Sequence, residues 1–143
     1  MYRHIEFNFS HKTSAINQGA EVKGLIITAH GSRKPDSNKG IIEITQKFSD
    51  IAQDHFFPVQ YAFLEFARPN LEQAIDDMIE KGSRQILIFP FFLGAGSHVT
   101  KDIPDILSKM ETKYSDIQFT AMKHLGTADK INELIFAEAV KYI

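Results

Sequence analysis

A chain of 143 residues with a formal net charge of −2 and no cysteine is sized for one ordinary domain with a core of its own. Its charge balance leaves no electrostatic footprint for nucleic acid. The missing thiols exclude disulfides, iron–sulfur clusters and thiolate metal sites, so any metal is held by histidine, carboxylate or water.

The first 22 residues, MYRHIEFNFSHKTSAINQGAEV, have neither the apolar centre nor the small-residue cleavage site of a secretory signal. The alternation in IEFNF suits an added edge strand or a flexible arm, so residues 1–22 are set apart from a domain at 23–143. The longest apolar run, ILIFPFFLGAG, is interrupted by Pro90 and too short to span a bilayer. The expectation is a cytoplasmic protein with no membrane or nucleic-acid partner.

From Val22 onward, strands and helices alternate. KGLIITAH is a continuous apolar run, the pattern of a strand buried on both faces. After the turn signals of SRKPDSNKG, the stripe Ile41, Ile44, Phe48 and Ile51 predicts a helix running to about Gln53. FPVQYAFLE predicts the second strand. ARPNLEQAIDDMIEKG predicts a helix with Pro69 in its first turn and Gly82 just past its end. RQILIFPFF is the third strand. A helix follows, with Asp102 as N-cap, Pro104 in its first turn, and Ile103, Ile106, Leu107 and Met110 facing the core. IQFTAMKHL is a weaker fourth strand. Thr127 is expected to cap a last helix that buries Ile131, Leu134, Ile135 and Ala139. Four strand–helix units predict an α/β fold: a parallel sheet, order 2-1-3-4, with helices on both faces.

In open parallel sheets, ligands bind beyond the carboxyl ends of the strands, at the switch point. There the chain carries His30 in AHGSR, Glu65 in AFLEFARP and His98 in GAGSH. With the first strand between the second and third, these three converge on one rim. Two imidazoles and a carboxylate suit a divalent first-row metal. Gly31, Gly94 and Gly96 give the loops freedom to turn.

Taken singly, each residue has a plainer role. His30 and His98 fit loop packing or capping as well as ligation. Glu65 suits solvent or an ion pair with Arg68, and His124 a solvent-facing strand end. His4, His11 and His55 read as surface residues. Phe89, Phe91 and Phe92 are mainly sheet core, with Phe92 placed to line a cleft. Arg33, Lys34, Arg68 and Lys101 fall near strand ends or helix starts; they are ordinary solvated charges unless the ligand is a polyanion, which they would then hold. GAGS lies near a helix start, but neither GxxxxGK[ST] nor GxGxxG is present. AGSHV and HGSRK do not fit the GxSxG elbow of a serine hydrolase.

HGSR after a buried strand, AFLE before a proline-started helix, and FPFFLGAGSHVTKDIP, in this order and spacing, resemble the small sirohydrochlorin chelatases, the class II chelatases of cobalamin and sirohaem synthesis. The resemblance covers about residues 23–140. It implies a three-layer α/β/α chelatase-like fold and ATP-independent insertion of cobalt(II) or iron(II) into sirohydrochlorin, with nickel(II) as the metal of some relatives. It implies no organic cofactor, a tetrapyrrole partner and a homodimer. The family's metal-site histidines fall on His30 and His98, and the accompanying carboxylate on Glu65; the same three residues are the catalytic candidates. Arg33, Lys34, Arg68, Phe92 and Lys101 are the candidates for substrate binding. One departure stands out: LGTADKI carries Thr127, Ala128 and Asp129 where the family often has a histidine–proline pair. The rival expectation is a metal or tetrapyrrole carrier on the same fold.

Overall fold

The computed structural model describes residues 23–143. The arm or edge strand expected at residues 1–22, with His4 and His11, lies outside the described residues. The elements are β1 (Lys23–Ala29), α1 (Pro35–Ala52), β2 (Phe56–Phe63), α2 (Leu71–Glu80), β3 (Gln85–Pro90), a π-helical turn (His98–Asp102), α3 (Ile103–Lys113), β4 (Gln118–Ala121), a 3₁₀ turn (Leu125–Thr127), α4 (Ile131–Ala139) and a closing 3₁₀ turn (Val140–Tyr142). The strands form one parallel sheet in the order β2-β1-β3-β4, as the alternation predicts.

The uniform apolarity of β1 follows from its central place. Ile26 faces one core, with Ala62, Ile86 and Ile88 of the neighbouring strands beneath α2 and α3. Leu25 and Ile27 face the other, with Val59 beneath Ile41 and Phe48 of α1. Ile26, Ile75, Met78, Ile86 and Ile88 are fully buried, each side chain contributing about 1.5–3 kcal/mol by leaving water. α2 starts on a reciprocal capping box: the Gln73 amide donates to Asn70 Oδ1 at 2.8 Å, and the Asn70 amide to Gln73 Oε1 at 3.0 Å. Gly82 ends it with φ +98°, a value that favours glycine.

The structure corrects several expectations. Pro69 precedes the Asn70 cap and is not in the helix, because the Asn70–Gln73 box fixes the start one residue later. On α1, Ile44 and Ile51 are exposed while Thr45 and Ala52 are buried. Thr45 tolerates burial because its hydroxyl donates to the Ile41 carbonyl at 2.7 Å. Asp102 is no N-cap: its backbone is helical, and the π-helical turn carries the chain into α3 without a break. Thr127 does not cap α4; its hydroxyl donates to the His124 carbonyl at 2.7 Å, closing the short 3₁₀ turn. The expected core face of α4 is not buried: Leu134, Ile135 and Phe136 are 60–70% exposed. α4 packs mainly against its flanking turns, and Leu87 and Phe89 of β3, in the second core, are only half-buried.

Candidate metal centre

Backbone pairing past the strand ends builds the site. After β1, the Leu64 amide donates to the Ala29 carbonyl at 3.0 Å and the Glu65 amide to the His30 carbonyl at 2.8 Å, so the loop after β2 stays zipped to the loop after β1. Gly31 makes this approach possible. Its φ is +91°, and a Cβ there would sit 2.0 Å from the Glu65 carbonyl oxygen. Gly94 and Gly96 adopt no such left-handed φ, so the loop after β3 does not depend on them in that way.

His30, exposed on the rim, has Nδ1 2.9 Å from the Gly31 carbonyl oxygen and Nε2 3.2 Å from Glu65 Oε2. A carbonyl only accepts, so Nδ1 carries a hydrogen, and Nε2 is the ring nitrogen turned toward the carboxylate. Nε2 and Oε2, 3.2 Å apart, are placed to share a cation, whether a proton or a metal ion. Glu65 thus faces His30, not Arg68, its alternative partner in the sequence reading.

His98 opens the π-helical turn, and its ring centroid lies 4.7 Å from that of His30. Its Nδ1 is 2.7 Å from Asp102 Oδ2. The carboxylate accepts, leaving Nε2 of His98 available as a ligand atom. One ligand atom each from His30, Glu65 and His98 lie within 4.8 Å of one another. Around a first-row ion with bonds of about 2.0–2.2 Å, neighbouring ligands stand roughly 3–4 Å apart, and the three atoms lie close to that spacing. An open cleft of about 330 Å³ adjoins the triad, lined by Leu64, Glu65, His98, Asp102, Asp105 and Ile106.

The other candidates fall unevenly. Phe92 stacks on the His98 ring, centroids 5.8 Å apart and planes 30° from parallel. Arg33 lies over the ring of Phe66, 4.4 Å from its centroid, and Phe66 in turn meets His30 edge-on at 5.8 Å. Lys101 turns to Asp105 at 2.5 Å, which holds its ammonium above the ordinary lysine range. Lys34 and Arg68 are exposed, at the start of α1 and in the loop before α2. His124 is half-buried, contrary to its reading as a solvent-facing residue.

Two residues at the site are not singled out by residue type alone. Asp102 has the form of a helix cap, although its i,i+4 spacing from His98 is the spacing of neighbours on one helical face. Phe66 carried no signal, because a left-handed backbone at phenylalanine is not written in residue type.

The CbiX family model matches residues 24–141. A sirohydrochlorin cobaltochelatase of Methanocaldococcus jannaschii is 33% identical over 94 residues, 65% of this chain and 64% of that protein. One from Saccharolobus solfataricus is 28% identical over 118 residues, 78% of this chain and 89% of that protein. Among solved structures, the sirohydrochlorin chelatase SirB of Bacillus subtilis subspecies spizizenii, in complex with cobalt, superposes with a TM-score of 0.68 at 21% identity, over 84% of this chain and 50% of SirB. That likeness is one of fold, and this chain corresponds to about half of the SirB chain. The family match over nearly all the described residues, on the expected sheet order, makes this chain a member of the CbiX family, the small class II sirohydrochlorin chelatases.

Proposed function

We propose that the protein inserts a divalent metal, cobalt(II) or iron(II), into sirohydrochlorin without ATP, with His30, Glu65 and His98 holding the incoming metal. The observation that carries this reading is the convergence of three ligand atoms within 4.8 Å at the switch point of the sheet, in a chain of the CbiX family. Two relatives named as sirohydrochlorin cobaltochelatases support a sirohydrochlorin substrate and favour cobalt.

Metal insertion requires that a hydrated ion be captured and then released, and that two pyrrole N–H protons leave as the two metal–nitrogen bonds replacing them form. Imidazole and carboxylate bind first-row ions without the grip of thiolate. The exposed rim lets the macrocycle reach the metal. As the metal passes to the pyrrole nitrogens, the vacated lone pairs of His30, Glu65 and His98 become the bases that take the protons. Asp102 holds the His98 ring so that Nε2 keeps its direction through that exchange. Arg33, Lys34, Arg68 and Lys101 meet the substrate's carboxylates, and Phe92, stacked beneath His98, supports the apolar wall.

The same reading takes the active form to be a homodimer in the cytoplasm. Leu134, Ile135, Phe136 and Val140 leave apolar surface exposed around α4 and just after it, more than scattered surface residues warrant. A second copy covering it would give an assembly of the length of SirB, which this chain half spans. The decisive experiment is anaerobic absorbance of sirohydrochlorin with cobalt(II) or iron(II) and catalytic protein. Turnover beyond one equivalent separates an enzyme from a carrier.

A further inference from the structure

We propose that Phe66, with Arg33 held over its ring, forms the wall on which the tetrapyrrole packs beside the metal site. This rests on the tetrapyrrole reading above and assigns Phe66 a role in that substrate's binding.

Phe66 is, among the described residues, the non-glycine residue with a left-handed backbone, φ 62°. For a bulky aromatic side chain this is a genuine outlier and is strained. Glycine or asparagine would make the same turn at lower cost. Nor does burial compensate, since Phe66 is 52% exposed. The backbone around it is firmly tied: the Glu65 amide donates to the His30 carbonyl and the Ala67 amide to the Glu65 carbonyl, each at 2.8 Å. The chain thus holds an exposed phenyl ring at a fixed place, at a cost to its own stability.

That place is beside the metal-site candidates. Ring contacts run without a break from Phe66 to His30 at 5.8 Å, from His30 to His98 at 4.7 Å, and from His98 to Phe92 at 5.8 Å. The two imidazoles are flanked by a phenyl ring on either side. Arg33 adds a guanidinium 4.4 Å from the Phe66 centroid, where it can contact the ring and a carboxylate at once. A flat conjugated ligand with a carboxylate margin, approaching a metal between the histidines, matches aromatic surface and cation together.

The test uses metal-free sirohydrochlorin as probe, titrated by its fluorescence against wild type, Phe66→Gly, Phe66→Leu and Arg33→Met. Cobalt(II) titrations and urea unfolding of each variant run in parallel. Phe66→Gly should weaken tetrapyrrole binding by roughly three- to tenfold, with cobalt(II) affinity retained and the urea midpoint at or above wild type, because glycine accepts the left-handed backbone. Phe66→Leu should weaken binding while keeping the strain. Arg33→Met should weaken binding and flatten its salt dependence. Wild-type affinity in Phe66→Gly, or weakened binding only together with a lowered urea midpoint, overturns the proposal. A wild-type protein with no affinity for the tetrapyrrole overturns the underlying reading with it.

Discussion

Nδ1 of His98 lies 2.7 Å from Asp102 Oδ2, with both residues in one π-helical turn that runs directly into α3. The pair ties a ligand candidate on a loop to the start of a helix anchored in the core by Ile103, which is 1% exposed. Carboxylates that accept from a ligating imidazole fix its tautomer and direction. Asp102→Ala should therefore lower cobalt(II) affinity by about 10- to 100-fold without displacing the fold. Asp102→Asn, which keeps an acceptor, should lose less. Visible-absorbance titration of cobalt(II) with each variant measures it, and equal affinity in all three proteins would remove Asp102 from the site.

Gly31 carries the close approach of two loops. A methyl group there meets the Glu65 carbonyl at 2.0 Å and a φ of +91°. Gly31→Ala should cost roughly 2–4 kcal/mol in urea unfolding and weaken metal binding by moving Glu65. A change within 0.5 kcal/mol, the usual span of surface substitutions, would mean that the zipped loops do not position the carboxylate.

Between α2 and α3, Asp76 accepts from Tyr114 Oη at 2.6 Å and from Lys113 Nζ at 3.0 Å. Burial works to raise its pKa, but the two hydrogen bonds outweigh it and hold the carboxyl below its usual value of 3.8. A lowered native pKa adds stability that is fully present above the unfolded value and lost as pH falls through the native one. Asp76→Ala should cost about 0.5–1 kcal/mol at neutral pH, the discount reflecting partial exposure. The gap to wild type should narrow below pH 3.8. Urea midpoints across that range measure the difference; a gap independent of pH would assign the loss to packing.

The exposed apolar surface of α4 predicts association. Sedimentation velocity should give a dimer for the wild type and a monomer for Leu134→Asp/Phe136→Asp, both positions being 60% or more exposed in the single chain. A wild-type monomer at micromolar concentration would leave that surface without its proposed partner.

Much of this was legible in the residues. Continuous apolar runs at KGLIITA and QILIFP became strands with both faces covered or partly covered, and the switch-point rule brought His30, Glu65 and His98 onto one rim. The misplaced helix starts share a cause: they follow single residue types, whereas side-chain hydrogen bonds between residues three or four apart decide them. Asp102 looked like a cap because aspartate before a helical stripe usually is one; the imidazole of His98 took its carboxylate instead. The apolar stripe of α4 has the periodicity of a core helix, and periodicity does not say whether the core belongs to the same chain. Phe66 was invisible because its importance lies in a dihedral angle.

The most direct test of the central claim is anaerobic turnover of sirohydrochlorin by absorbance, with cobalt(II) or iron(II), using catalytic amounts of wild type, His30→Ala and His98→Ala. Many equivalents of metallated product with wild type, and loss of turnover in both variants while each stays folded, is the predicted result. Stoichiometric binding that stops at one equivalent, or full turnover in either variant, would contradict a chelatase whose metal passes between these two histidines.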